Sequence, residues 1–128
     1  MILAAVDDLL FTSKIHAAAT QRGVDVVFAR SPEDVLEQAR ALRPVLAIFD
    51  LNSQRLQPLS TIAGLKADAS LARIRTIGFV SHVQVALIEA ARSAGVDEVM
   101  ARSAFAAKLG DLLANARDDW SEHTDARA

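Results

Sequence analysis

Five short apolar runs, each followed by a longer segment of helical period, constrain this chain more than any other feature it has. The runs are Ile2–Val6, Val24–Ala29, Val45–Phe49, Ile74–Val80 and Val96–Ala101. Strands that alternate in this way with helical stretches indicate a parallel sheet with crossover helices. The punctuation between them agrees. Thr12–Gln21 reads as a helix with Thr12 or Ser13 as its N-cap, closed by Gly23. Ser31-Pro32-Glu33-Asp34 supplies a cap, a proline at the first helical position and two acids in the first turn. The helix that follows aligns Val35, Leu36, Ala39 and Leu42 before Arg43-Pro44 stops it. A weaker helical stretch runs from Pro58 to about Ala67, Val83–Ala94 is strongly helical up to Gly95, and the last helix covers about Ala104–Arg117. Residues 118–128 read as a polar tail that frays, with Trp120 its apolar exception.

With 128 residues the chain has room for one core and not for two, so residues 1–117 are expected to form one domain. Five strands and five helices in so small a unit predict an α/β fold. The expected form is a doubly wound five-stranded parallel sheet in the flavodoxin-like order 2-1-3-4-5, with helices on both faces. Apolar residues at 52% and charged ones at 23% are a globular composition, and a net charge of −2 gives no bulk attraction to nucleic acid or to anionic lipid. There is no cysteine, which excludes disulfides, thiol catalysis and thiolate metal sites. The apolar N-terminus lacks a basic flank and is interrupted by Asp7 and Asp8, so it does not read as a signal peptide. No run is long enough to span a bilayer. The expectation is a soluble, cytoplasmic protein.

In that topology all strand C-terminal ends lie on one edge, where ligands bind. The residues there are Asp7 and Asp8, then Asp50, then Ser81, then Arg102. Three converging carboxylates repel one another and raise each other's pKa unless a cation or phosphate chemistry requires them. Hard oxygen ligands of this kind suit Mg²⁺, and a carboxylate beside such an ion can attack phosphorus to form an aspartyl phosphate. Crowding further predicts that Asp7→Asn or Asp8→Asn stabilises the metal-free protein.

These residues resemble the response-regulator receiver family over roughly residues 1–117. The acidic pair ending the first strand, Asp50 ending the third and Ser81 ending the fourth match its pattern, as does the turn Ala94-Gly95-Val96-Asp97 into the fifth. The resemblance implies that Asp50 accepts the phosphoryl group and that Asp8 binds Mg²⁺ directly, with Asp7 acting through water. It also implies that the Asn52 carbonyl is a further ligand and that the Ser81 hydroxyl bonds the phosphoryl group. At the end of the fifth strand the family has a lysine that holds the acceptor carboxylate and then the phosphoryl oxygen; here the register gives Arg102, and guanidinium and ammonium are not equivalent. Lys14, Lys66 and Lys108 all fall in predicted helices. The family's strand-5 aromatic is replaced by Val99, and the loop after Asp50 has Gln54 and Pro58 near the positions of its usual proline and glycine.

Two functions follow. The first is a stand-alone receiver, not an enzyme, which takes a phosphoryl group on Asp50 from a histidine kinase or phosphotransfer protein. It would signal to a downstream protein through the surface of helix 4, strand 5 and helix 5, without nucleic acid or membrane. The alternative is a pseudo-receiver that acts as an interaction module without phosphorylation. Simpler roles compete residue by residue: Asp7 or Asp8 as a helix cap, Asp50 as the start of an Asx-turn, and His82 as a solvated loop side chain rather than a group overhanging the pocket. His16 and His123 form no metal-spaced set with it. No GxGxxG, P-loop, serine nucleophile elbow or HExxH motif points to another chemistry.

Overall fold

The computed structural model describes residues 1–81 and 84–125, with side chains as far as Ala116. Strands and helices alternate throughout: β1 (Ile2–Ala5), α1 (Leu9–Arg22), β2 (Val26–Phe28), α2 (Pro32–Leu42), β3 (Leu46–Asp50), α3 (Pro58–Ala67), β4 (Arg75–Val80), α4 (Val85–Ala94), β5 (Glu98–Ala101) and α5 (Arg102–Asp125). All pairings are parallel and the sheet order is β2-β1-β3-β4-β5, as expected. Ala4 pairs with Phe28 on one side and with Ile48 on the other, which places β1 and β3 at the centre of the sheet.

The sheet is covered on both faces, so its central strands are buried at every position and not only at alternate ones, and apolar throughout except for Asp50 at the end of β3. Ile2, Ala4, Ile48 and Ile77 join Phe11, Ile15 and Ala19 of α1 and Phe105, Leu109 and Leu113 of α5 in one core layer. Leu3, Ala5, Ala47 and Phe49 join Val35 and Ala39 of α2, Ile62 and Leu65 of α3 and Ala91 of α4 in the other.

Three rings stack within the first layer, directly below the C-terminal edge of the sheet. Phe79 of β4 lies between Phe11 and Phe105, with centroids 5.0 and 4.7 Å away. Phe11 belongs to the first turn of α1 and Phe105 to the first turn of α5. The stack therefore fixes where both helices begin, and with them the residues at their N-termini.

Most boundaries fall where the sequence puts them. Ser31 caps α2 by accepting a bond from the Asp34 N–H at 3.0 Å, and Gly23 closes α1 at φ 65°. Two expectations change. The cap of α1 is Asp8 and not Thr12 or Ser13, because nothing in Leu9-Leu10-Phe11 opposes helix once an aspartate precedes it. Helix α5 continues to Asp125 instead of stopping near Arg117, since the polar stretch after it contains no glycine or proline to end it. The Trp120 and His123 side chains lie outside the described residues.

The turn into β5 is built around Asp97. Its Oδ2 accepts bonds from the Thr76 N–H (2.8 Å), the Thr76 hydroxyl (3.0 Å) and Lys66 Nζ (3.0 Å), and Lys66 also donates to the carbonyls of Ala72 and Ile74. Burial pushes the Asp97 carboxyl up, but these donors outweigh it and hold the pKa below 3.8.

Two stability predictions follow from this packing. Phe105→Ala should lower the unfolding free energy by about 3–5 kcal/mol, read from urea denaturation, because it removes one ring of the buried stack. Asp97→Asn should cost about 1–2 kcal/mol at neutral pH, the half-exposed carboxylate limiting the loss. A depressed carboxylate pKa contributes stability above its unfolded value and loses it as pH falls through the folded value. The difference between Asp97→Asn and the parent should therefore shrink below pH 3.8.

Candidate functional site

The strand-edge residues are brought together, but in pairs that the sequence did not reveal. Asp8 follows β1 and sits at the start of α1. Its Oδ1 accepts bonds from the Leu10 N–H (2.8 Å) and the Phe11 N–H (3.2 Å), satisfying helix-end donors that would otherwise be unpaired. Its Oδ2 is taken by Arg102 Nη2. Arg102 is the first residue of α5, and its guanidinium also lies over the Phe11 ring, 4.4 Å from the centroid. The capping role, which the sequence left as the simpler alternative, thus belongs to Asp8 in addition to an ion pair.

Asp7 points to a different cation. Arg55, in the loop after β3, donates through Nη2 (2.7 Å) and Nε (3.1 Å) to Asp7 Oδ1, and through Nη1 to the Arg30 carbonyl (2.8 Å). The Ser53 hydroxyl donates to Asp7 Oδ2 at 3.3 Å. Arg55 accordingly joins the loops that follow β1, β2 and β3. The hydrogen bonds and charge of Arg55 hold the Asp7 carboxyl below its ordinary value. For this residue the expected mutual repulsion is overruled.

Asp50 is where crowding still acts. It ends β3 with 7% of its surface exposed, and its Oδ1 accepts the Asn52 N–H at 3.0 Å, the Asx-type turn that aspartate favours at strand ends. Burial raises its pKa. The Asn52 N–H bond and Arg102 act against that rise, and the charges of Asp8 and Asp7 add to it. Among the described residues no arginine or lysine bonds to this carboxylate.

Asn52 links the loop after β3 to the loop after β4. Its Oδ1 accepts the Ser81 N–H (2.8 Å), and its amide nitrogen donates to Gln84 Oε1 (2.7 Å). Ser81 is exposed and shares with Arg102 a cavity of about 620 Å³ walled by Leu10, Phe11, Lys14 and Ser103, which Asp50 does not line. His82 lies outside the described residues.

The donors implied for Mg²⁺ were Asp8, Asp50 and the Asn52 carbonyl, with Asp7 through water. As arranged here they do not fit the ion. Asp7 and Asp8 are each committed to an arginine, and one oxygen of Asp50 is already bonded to the backbone. Among the described residues no three acidic or histidine side chains gather into a set that could hold a metal.

No family model and no curated protein matches the sequence. Solved structures do match in fold. The phosphorylated cyanobacterial phytochrome response regulator RcpA superposes with a TM-score of 0.74 at 22% identity, over 93% of this chain and 91% of its own. A two-component response regulator from Legionella pneumophila gives 0.73 at 18% identity, over 88% and 95%. The Mn²⁺-bound form of response regulator Rcp1 gives 0.72 at 16% identity, over 93% and 92%. The fold is that of response-regulator receiver domains.

Arg55, Ser53 and Gln84 were missed by the sequence reading. A signal for Arg55 existed, because the order 2-1-3 puts the loop after β3 beside the loop after β1, and a cation there faces the acidic pair.

The earlier expectation that neutralising Asp8 stabilises the protein is replaced. Asp8→Ala should lower stability by about 1–2 kcal/mol through loss of the cap. Asp8→Asn, which retains a capping oxygen, should lose less than about 1 kcal/mol with the partly exposed ion pair. Thermal and urea unfolding of the two variants checks this, and a higher melting temperature for either would show that repulsion prevails.

Proposed function

We propose that this chain is a receiver-type module of two-component signalling, not an enzyme, which passes its signal by binding a protein partner and does so without being phosphorylated. The observation that carries this reading is the commitment of Arg102 to Asp8 and the Phe11 ring. The cation at the end of β5 is the group expected to couple Asp50 to the rest of the domain, and here it serves the start of α1. Asp50 is nearly buried, and among the described residues its carboxylate bonds only the Asn52 backbone N–H, with no cation placed to receive a transferred phosphoryl group. The Asn52 side chain is also bonded to Ser81 and Gln84.

The partner surface on this reading is formed by α4, β5 and α5. Strand β5 is an edge of the sheet, and Val85 at the start of α4 is 63% exposed. The proposed setting is the cytoplasm; no described helix is long and apolar enough to cross a membrane.

A second reading is favoured by the position of Asp50, at the end of β3 within electrostatic reach of Asp7, Asp8 and Arg102. In it Asp50 accepts a phosphoryl group from a histidine kinase or phosphotransfer protein, and Ser81 contacts that group.

Incubation with acetyl phosphate and Mg²⁺ followed by intact mass separates the two. The expected result is an unchanged mass. Gain of one phosphoryl group by the parent, absent from Asp50→Asn, would overturn the first reading in favour of the second.

A further inference from the structure

We propose that Arg55 and Arg102 are the resident cations of the acidic edge and take the place of a divalent metal ion. Asp7, Asp8 and Asp50 lie close enough for the charges of the first two to bear on the third. Carboxylates so placed need counter-charge. A divalent ion would bring two positive charges; the two guanidinium groups bring the same two, one on Asp7 and one on Asp8.

Each guanidinium is also held from a second direction. Arg55 donates to the Arg30 carbonyl at 2.8 Å, and Arg102 rests over the Phe11 ring. Arginine does not lose its proton under physiological conditions, so this counter-charge is permanent and independent of metal concentration.

Of the four carboxylate oxygens left over, three are also engaged and Asp50 Oδ2 is not. Asp8 Oδ1 caps α1, Asp7 Oδ2 accepts the Ser53 hydroxyl, and Asp50 Oδ1 accepts the Asn52 N–H. Mg²⁺ demands near-octahedral oxygen geometry and gives up water reluctantly. To take the carboxylates of Asp7 and Asp8 as ligands it would have to displace both arginines. The inference deepens the interaction-module reading and rests on it for its biological sense, but metal binding is measured without partner or phosphodonor.

Titration of the assigned amide spectrum with Mg²⁺, and with Mn²⁺ as a paramagnetic probe, tests it. In the parent the amides of Asp8, Asp50 and Asn52 should show no saturable shift or broadening in the millimolar range. The Arg55→Ala/Arg102→Met double variant should bind Mn²⁺ about tenfold more tightly or better, the factor expected once ion pairs stop competing for the carboxylates. Saturable broadening at those amides in the parent, or a folded double variant with no gain, would overturn the proposal. If the double variant does not fold, Arg55→Ala decides by the same criterion, since its side chain is 56% exposed. A negative result leaves the phosphorylation question to the mass measurement.

Discussion

The stack of Phe11, Phe79 and Phe105 is the interaction from which the site takes its geometry. Phe79 belongs to a strand near the centre of the sheet, and the other two rings belong to the opening turns of α1 and α5. Rings packed at 4.7–5.0 Å and shielded from water leave little freedom for either helix to slide. Asp8 immediately precedes α1 and Arg102 opens α5, so a purely apolar contact places an acid and a base against each other across 94 residues of chain. The Phe11 face then serves twice, as core on one side and as a seat for the guanidinium.

The charge balance at the edge follows. Three carboxylates meet two guanidinium groups, leaving one negative charge that Asp50 carries when ionised. Asp50 is also the most buried of the three, and it has a backbone N–H for a partner instead of a cation. Desolvation and residual repulsion therefore act on the same group, whereas Asp7, exposed and paired, is shifted the other way. Acids that look alike in the sequence are thus given different electrostatic roles by their neighbours.

The fold was legible because it depends on pattern. Runs such as Leu46–Phe49 and breaks such as Gly23, Ser31-Pro32 and Gly95 carry their meaning locally, and strand order follows from the rules for parallel crossovers. The positions of Asp7, Asp8, Asp50, Ser81 and Arg102 on one edge were legible for the same reason. Which side chain pairs with which was not. Asp8 could have turned toward Asp50 or toward its own helix, and the choice depends on where Arg102 is held by a ring from another element. Arg55 was overlooked because a loop arginine reads as solvated until the neighbouring loops are placed around it.

The same contacts bear on how a signal could travel through this domain. A switch requires a group whose state differs between two arrangements, with contacts that favour one or the other. Around Asp50 the adjoining groups are already bound: Asn52 to Ser81 and Gln84, Asp8 to Arg102, Asp7 to Arg55. Val99, in the edge strand, is half-buried and packs against the α2–α3–α4 core layer, so it offers no ring to exchange between an inner and an outer position. Rearrangement would mean breaking several of these bonds together for the gain of one new contact at Asp50. On the proposed reading the domain therefore holds a single surface for its partner, and control lies in whether that partner is present rather than in a change of shape.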